Sequence, residues 1–465
     1  HPHPGPRPAR RPRRGGRRMS DDRPPAPPGI SLLGNAVGFA RDPFGFTTDA
    51  VASVGDVFRV DLPVGDHYVV ANPGDAERVL VTERDAFRKT DDFALAFGDS
   101  VLAVDGEAWR EQRDLLDSFF FAERIRSYLP AMRDRALGVT ESWTDGDTVG
   151  LLPAMKGVTF DVLASTLLGI DPGRTDDGLR RAADDLNAYF EPVTWALPDW
   201  VPTPSRRRFD AAKATLRAEI ESILDAAGRA ATVDGPAPAS ASPPALVTAL
   251  AAGLRGETGA DGSPRDREAA IDQLVGLVFA GHETTALALT FTIHSLAGHP
   301  RIYRDVEAEI EAVVGDAPVG WDHLEDLDLL DRVVDESLRR YPPIHSLPRE
   351  TTREVAFGEY TVPAGSEVLV SVYSLHHDGR FWSAPDTFDP SRWRERDRSA
   401  DAYLPFGAGP RRCLGATFAR VETRVVLVEL LRRFRFERAS AGELTLSPQM
   451  TTHPDGDVPV TVRRR

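Results

Sequence analysis

Cys413 is the one cysteine in a chain of 465 residues. That excludes an intramolecular disulfide and any zinc or iron–sulfur site drawing four thiolates from this protein, and it makes the cytoplasm the expected compartment. Lysine is nearly as scarce: Lys89, Lys156 and Lys213 stand alone, every other basic residue being arginine. No stretch reaches the roughly 18 to 20 uninterrupted apolar residues of a membrane span, so none is expected. Arg17-Arg18 ahead of Ile30 to Ala40 reads poorly as an export signal, because Asp21, Asp22 and several prolines intervene. No internal repeat is evident.

What is present fits a globular enzyme. The chain is 41% hydrophobic and 27% charged, enough for a sizeable core. Its net charge is −15 even with the arginine-rich segment His1 to Arg18 included, so the remainder is more acidic still. Such a surface repels nucleic acid and anionic membranes. Scarce lysine with an acidic body fits a salt-rich host, and equally a G+C-rich genome. Met19 follows a Pro/Arg-rich low-complexity stretch, so residues 1–18 are expected to be a disordered extension and residues 19–465 one catalytic domain.

Along the chain, alternating Val57 to Leu62 and His67 to Val70 read as a hairpin, giving a small sheet near the start. Helical periodicity follows over Pro73 to Val81, Glu107 to Phe121, Ala122 to Thr144, Met155 to Leu168, Asp176 to Phe190 and Ser205 to Ala230. Loops at Val233 to Pro244 and Gly256 to Ser263 flank a short helix, Ala245 to Leu254. A long, unusually apolar helix runs from about Arg265 to Gly298 and is expected to be central. Helices over Trp321 to Arg340, strands over Glu354 to Tyr373, a helix over Gly415 to Arg433 and a terminal hairpin from Leu444 to Val462 complete a mainly α chain with small sheets.

The chemistry concentrates in three motifs. Phe406-Gly-Ala-Gly-Pro-Arg-Arg-Cys413-Leu-Gly415 precedes an apolar helix. Gly407, Gly409 and Gly415 permit tight turns that aim N–H groups at the sulfur, and Arg411, Arg412 and the helix N-terminus add positive potential, so a depressed thiol pKa is expected. Glu336-Ser-Leu-Arg339 places a carboxylate and a guanidinium on one helix face; Tyr341-Pro342-Pro343 and Phe388-Asp-Pro-Ser-Arg392-Trp393 follow it. Ala280-Gly281-His282-Glu283-Thr284-Thr285 puts an acid and hydroxyls into the apolar helix, which costs stability unless they are paired or functional. A threonine bonded back to its own helix with a solvent-facing acid is the structural alternative.

Together these motifs resemble the cytochrome P450 family, whose cysteine-loop signature Phe-x-x-Gly-x-Arg-x-Cys-x-Gly is matched throughout. The likeness runs in order from Pro24 to the terminal hairpin. It implies a helical bundle around non-covalent haem b (iron protoporphyrin IX), with Cys413 as axial ligand, Arg411 on a propionate, Phe406 beside the sulfur and Gly415 opening the following helix. Glu336, Arg339 and Arg392 would form a buried network. Ala280 and Gly281 would leave room above the iron, Thr284 would hydrogen-bond dioxygen and Glu283 would relay protons. Trp109, Arg113 and Arg349 resemble further propionate donors. His282 and the segment His376-His377-Asp378 are assigned structural roles.

The resemblance implies a monooxygenase that activates dioxygen and hydroxylates an unactivated C–H bond, a thiolate ligand favouring O–O cleavage. With no dinucleotide-binding glycine motif and no cysteines for an iron–sulfur cluster, electrons are expected from a separate ferredoxin and reductase, docking near Arg110 and Arg420. By family analogy Leu95, Leu102, Phe190, Trp195, Phe279, Ile344 and Met450 line the pocket. That lining favours a lipophilic substrate such as a fatty acid or an isoprenoid, turned over by a monomer. A peroxide-driven peroxygenase, a non-redox haem isomerase or dehydratase, a haem gas-binding protein and a cysteine hydrolase are the alternatives.

Overall fold

The computed structural model describes residues 22–30, 34–62, 65–171, 177–187, 201–233, 245–254, 264–395, 400–440, 442 and 444–465. The extension over residues 1–18, the two loops flanking the short helix, Phe190 and Trp195 lie outside them.

The long helix, Pro264–Gly298, is the axis of the molecule. It is buried because it is apolar nearly all round, and Leu151–Leu163, Ala122–Thr140, Pro204–Val233, Asp328–Arg340 and Ala416–Arg433 build the main core with it. By length and composition alone, Leu151–Leu168 and Asp266–Gly298 are apolar enough to cross a membrane, although charged residues such as Asp161 and Glu283 interrupt both, so neither is the uninterrupted apolar run whose absence the sequence showed. The first is 67% buried and the second 83% buried inside the protein. Their apolar surface faces other helices.

The sequence-predicted hairpin forms, with Val57–Leu62 antiparallel to Gly65–Val70. It is not a self-contained N-terminal sheet, however. Its second strand pairs in parallel with Glu367–Ser371, which pairs with Ser346–Thr351 and, through it, with Phe87–Arg88. The late stretch expected as continuous strands ends as a helical turn, Val372–His377, capped by the Ser371 hydroxyl, which accepts the Ser374 N–H. The expected terminal hairpin is likewise divided. Leu446–Pro448 pairs with Thr452–Pro454, whereas Pro459–Arg464 leaves to join Phe434–Arg438 and Thr148–Gly150. A helix the periodicity reading missed, Pro300–Val313, begins with proline at its first position and buries Tyr303, Val306 and Ile310.

Candidate functional site

Between Ala270 and Leu296 of the long helix, the residues that are not buried are Leu277, Ala280, Gly281 and Thr284. Spacings of three, four and seven put them on one face, so the helix is incompletely covered along a single stripe. The cysteine loop is also incompletely covered, with Cys413 exposed. Gly407 and Gly409 sit at φ +68° and +69°, where side chains are strained. A Cβ on Gly409 would also come within 2.5 Å of the Leu80 carbonyl oxygen. Gly415 has φ −84° and serves instead as the residue before the helix Ala416–Arg433.

The loop folds back on itself through the Cys413 N–H, donated to the Phe406 carbonyl at 2.9 Å, while the Phe406 ring lies under the Arg420 guanidinium at 5.4 Å. Cys413 has open space before it, yet protein encloses it closely enough for burial to push its thiol pKa up. The Gly415 N–H, Arg113 and Arg412 pull the other way and do not prevail. The expected depressed thiol is therefore not produced by the loop alone. Arg411 points elsewhere, and desolvation outweighs the remaining charge.

Arg411 turns toward the start of the helix Gly106–Asp117. It donates to the Val104 carbonyl at 2.9 Å, pairs with Asp105 and stacks 4.8 Å over the Trp109 ring. Its Nη1 is buried without a partner. Arg113 bonds Asp117 at 2.8 Å and donates to the Arg412 carbonyl at 2.9 Å, which fastens that helix to the cysteine loop. Arg349 is buried, and burial, then the Arg411 charge, bring its pKa down to about 10. Lys89, which the motif reading missed, shares this space. Burial and the charges of Arg349 and Arg411 hold its pKa well below the ordinary lysine range. Among the described residues Asp105 is the single carboxylate acting on all three cations. Such an excess of desolvated positive charge beside a cavity fits a dianionic group, and the two propionates of haem have that charge.

The expected roles of the acid and the threonine separate. Thr284 Oγ1 donates to the Ala280 carbonyl at 2.7 Å, the structural alternative, although the residue still borders the open stripe. Glu283 does not face solvent. It is 2% exposed, with Oε1 at 3.0 Å from both Lys156 Nζ and His453 Nε2, and Oε2 accepting from Thr451 Oγ1 at 2.9 Å and from Asn187. Burial would raise its pKa, but the close approach of His453 and the Lys156 charge hold it well below the carboxylate range. The gap at Gly281 is not free either: a Cβ there would meet Leu163 Cδ1 at 2.7 Å, so the glycine admits the neighbouring helix. His282 is buried against Phe160 and its carbonyl accepts from Thr159.

Glu336 is fully buried with both oxygens saturated. Arg339 reaches it at 2.9 and 3.0 Å, Arg392 and the Asp389 N–H at 3.1 and 3.0 Å, and Trp393 Nε1 at 3.0 Å. Arg339 also donates to the His376 carbonyl, and His376 Nε2 accepts the Leu404 N–H at the approach to the cysteine loop.

Of the expected pocket residues, Phe279 is buried against Phe97 at 4.9 Å between ring centroids, and Leu102 lies against Gly276. Ile344 and Met450 are joined through their neighbours: His345 Nε2 is 2.8 Å from the Gln449 carbonyl. Leu95 is half exposed. Arg420, expected on a docking surface, is committed to Asp335, whereas Arg110 is exposed.

The family model for cytochrome P450 matches residues 24–457. The cyclooctat-9-en-7-ol 5-monooxygenase of Streptomyces melanosporofaciens is 32% identical, over 88% of each chain. The pentalenene oxygenase of Streptomyces avermitilis is 28% identical over 93% of this chain and 92% of its own length. Among solved structures, the retinoic acid-bound cyanobacterial CYP120A1 superimposes with a TM-score of 0.80 at 25% identity, covering 96% of this chain and all of that one.

Proposed function

This chain belongs to the cytochrome P450 family and is a haem-thiolate monooxygenase; from that premise we propose that Cys413 is the axial ligand and that an isoprenoid-like lipophilic molecule is the substrate. Bound haem supplies activation of dioxygen and insertion of one oxygen atom into a C–H bond. The remaining work belongs to the chain. Lys89, Arg349 and Arg411, with Trp109 and Arg113 beside them, would hold the propionates. The cysteine loop presents the sulfur with its backbone already hydrogen-bonded, which limits reorganisation. Ala280 and Thr284 border the reacting space, and the Thr284 hydroxyl keeps its proton at Oγ1 against the Ala280 carbonyl, ready to be turned inward. Lys156 and the half-exposed Asp184, 2.8 Å apart, connect Glu283 to the surface and would bring protons to it.

For the substrate, the supporting features are the Phe93, Phe97 and Phe279 rings, with Leu102 beside them, and relatives named for pentalenene and cyclooctat-9-en-7-ol. An apolar wall selects by shape and by burial of hydrocarbon. A separate ferredoxin would dock on the cysteine-loop side, where Arg110, Arg412, Leu115 and Phe121 are exposed. The lone cysteine and the acid surface fit the cytoplasm.

The single observation carrying the reading is an exposed Cys413 thiol on a glycine-built loop that folds back on itself through the Cys413 N–H and the Phe406 carbonyl. Its test is spectroscopic. Reduced, carbon monoxide-treated protein should show the red-moved absorption of thiolate-bound haem, and Cys413→Ser should abolish it; persistence in the variant rules the assignment out. Soret shifts across isoprenoids and fatty acids then test the substrate class, a response confined to fatty acids refuting the isoprenoid reading.

A further inference from the structure

Glu283 neighbours Thr284 in the chain but turns off the open stripe into a polar knot. One side of that knot is helical: Lys156 belongs to Leu151–Leu163, and Asn187 follows the helix Asp177–Asp185. The other side is the C-terminal hairpin, through Thr451 and His453. Two strands of three residues each, Leu446–Pro448 and Thr452–Pro454, do not hold a hairpin in place unaided. This hairpin is fastened along two lines. The first runs to Pro342–His345: Thr452 donates its N–H to the Pro343 carbonyl at 2.8 Å and its hydroxyl to the Pro342 carbonyl at 2.6 Å, and His345 meets Gln449. The second is Glu283.

The position of the hairpin matters because of what adjoins it. Leu347 approaches the cysteine loop, its Cδ1 being 3.7 Å from where a Gly407 Cβ would stand. The segment from Ile344 to Leu347 therefore bridges the loop and the hairpin, and the turn carrying Met450 spans from that segment to the long helix beside Thr284. With the Glu283 line cut, the Pro342–His345 line becomes a hinge, and Met450 is free to swing relative to the stripe.

We propose that Thr451 and His453 are positioning residues that use the Glu283 carboxylate to fix the Met450 turn as a wall of the cavity, and so set how bulky a lipophilic ligand it admits. This rests on the haem-thiolate reading of the cavity. It gives Glu283 a duty separate from proton delivery, because its hairpin contacts, Thr451 and His453, are different residues from the Lys156–Asp184 pair that leads to the surface.

The test uses holoenzyme titrated with imidazole and with clotrimazole, a triaryl-substituted imidazole, both read by the Soret shift. In Thr451→Val and His453→Gln, the bulky ligand must order the wall on binding, so clotrimazole should weaken about tenfold while imidazole, too small to reach the wall, keeps its Kd within about twofold. Thr451→Ser, which retains the hydroxyl, should restore the wild-type ratio of the two constants. An unchanged ratio in both variants overturns the proposal, as does equal weakening of both ligands, which would report general damage around the iron. Absence of a thiolate-type carbon monoxide spectrum in the wild type would instead remove the haem reading beneath it, and that is seen before any titration.

Discussion

Each of the three lysines is partly buried. Lys89 shares its surroundings with Arg349 and Arg411, Lys156 pairs with Glu283, and Lys213 donates to the Leu95 carbonyl. A flexible stem ending in a compact charge suits such positions, where a planar arginine fork needs a matching acceptor. Lys89→Met should keep the fold and speed haem transfer to apomyoglobin; unchanged transfer would separate Lys89 from haem binding. Glu336 behaves differently, since losing it strands Arg339. Glu336→Ala should cost roughly 3 to 5 kcal/mol, measured as a lower denaturant midpoint. At His67, burial opposes protonation but Glu367, 3.0 Å away, outweighs it and raises the pKa. A raised folded-state pKa stabilises below the unfolded value and fades as pH rises through the folded one. Glu367→Gln should therefore lose most melting temperature against wild type below about pH 6.5, the gap narrowing toward alkaline pH as His67 becomes neutral in both.

The connection between Asp91–Phe97 and Gly106–Asp117 is held as a strap across the long helix. Asp272 accepts the Asp99 N–H at 2.8 Å and pairs with Arg217, and Gln273 accepts the Val101 N–H at 3.1 Å. Gly98 permits this with φ +56° and with Asp272 Oδ2 only 2.0 Å from where a Cβ would sit. Gly98→Ala should detach the strap, and proteolysis between residues 91 and 106 should then outpace that of wild type. Asp272 was visible in the sequence as an exception in an apolar helix, but its partner is a backbone N–H 173 residues away, which no local pattern encodes. The same limit divides the rest of the reading. The long helix, the first hairpin and the cysteine loop were legible because their determinants are local: apolar periodicity, alternation, and glycines at fixed offsets. Pro300–Val313 was missed although its amphipathic spacing was there to be read. Thr451 and His453 carried no local signal, since only the fold brings them to Glu283. Lysine scarcity was noted, but read as bulk composition when it marked positions.

At the scale of the whole molecule, acidity and arginine are partly consumed by pairing. Arg380 joins Asp56 to Asp378, and Arg435 clasps Glu307. Pairs whose arginine stands half in water, as these do, contribute little individually, and a net charge of −15 still repels itself. If the composition is an adaptation to salt, the melting temperature should climb steadily from low to molar potassium chloride; a flat profile would leave base composition as its origin. The mixed sheet has a different consequence. Its first hairpin is synthesised long before Glu367–Ser371, the strand that covers its open side. A nascent chain leaving the ribosome thus carries an unpaired strand edge through most of its translation. Since the cysteine loop also arrives late, iron cannot help to organise the early polypeptide, and premature termination anywhere before residue 367 should yield sticky, cofactor-free fragments instead of a smaller working enzyme.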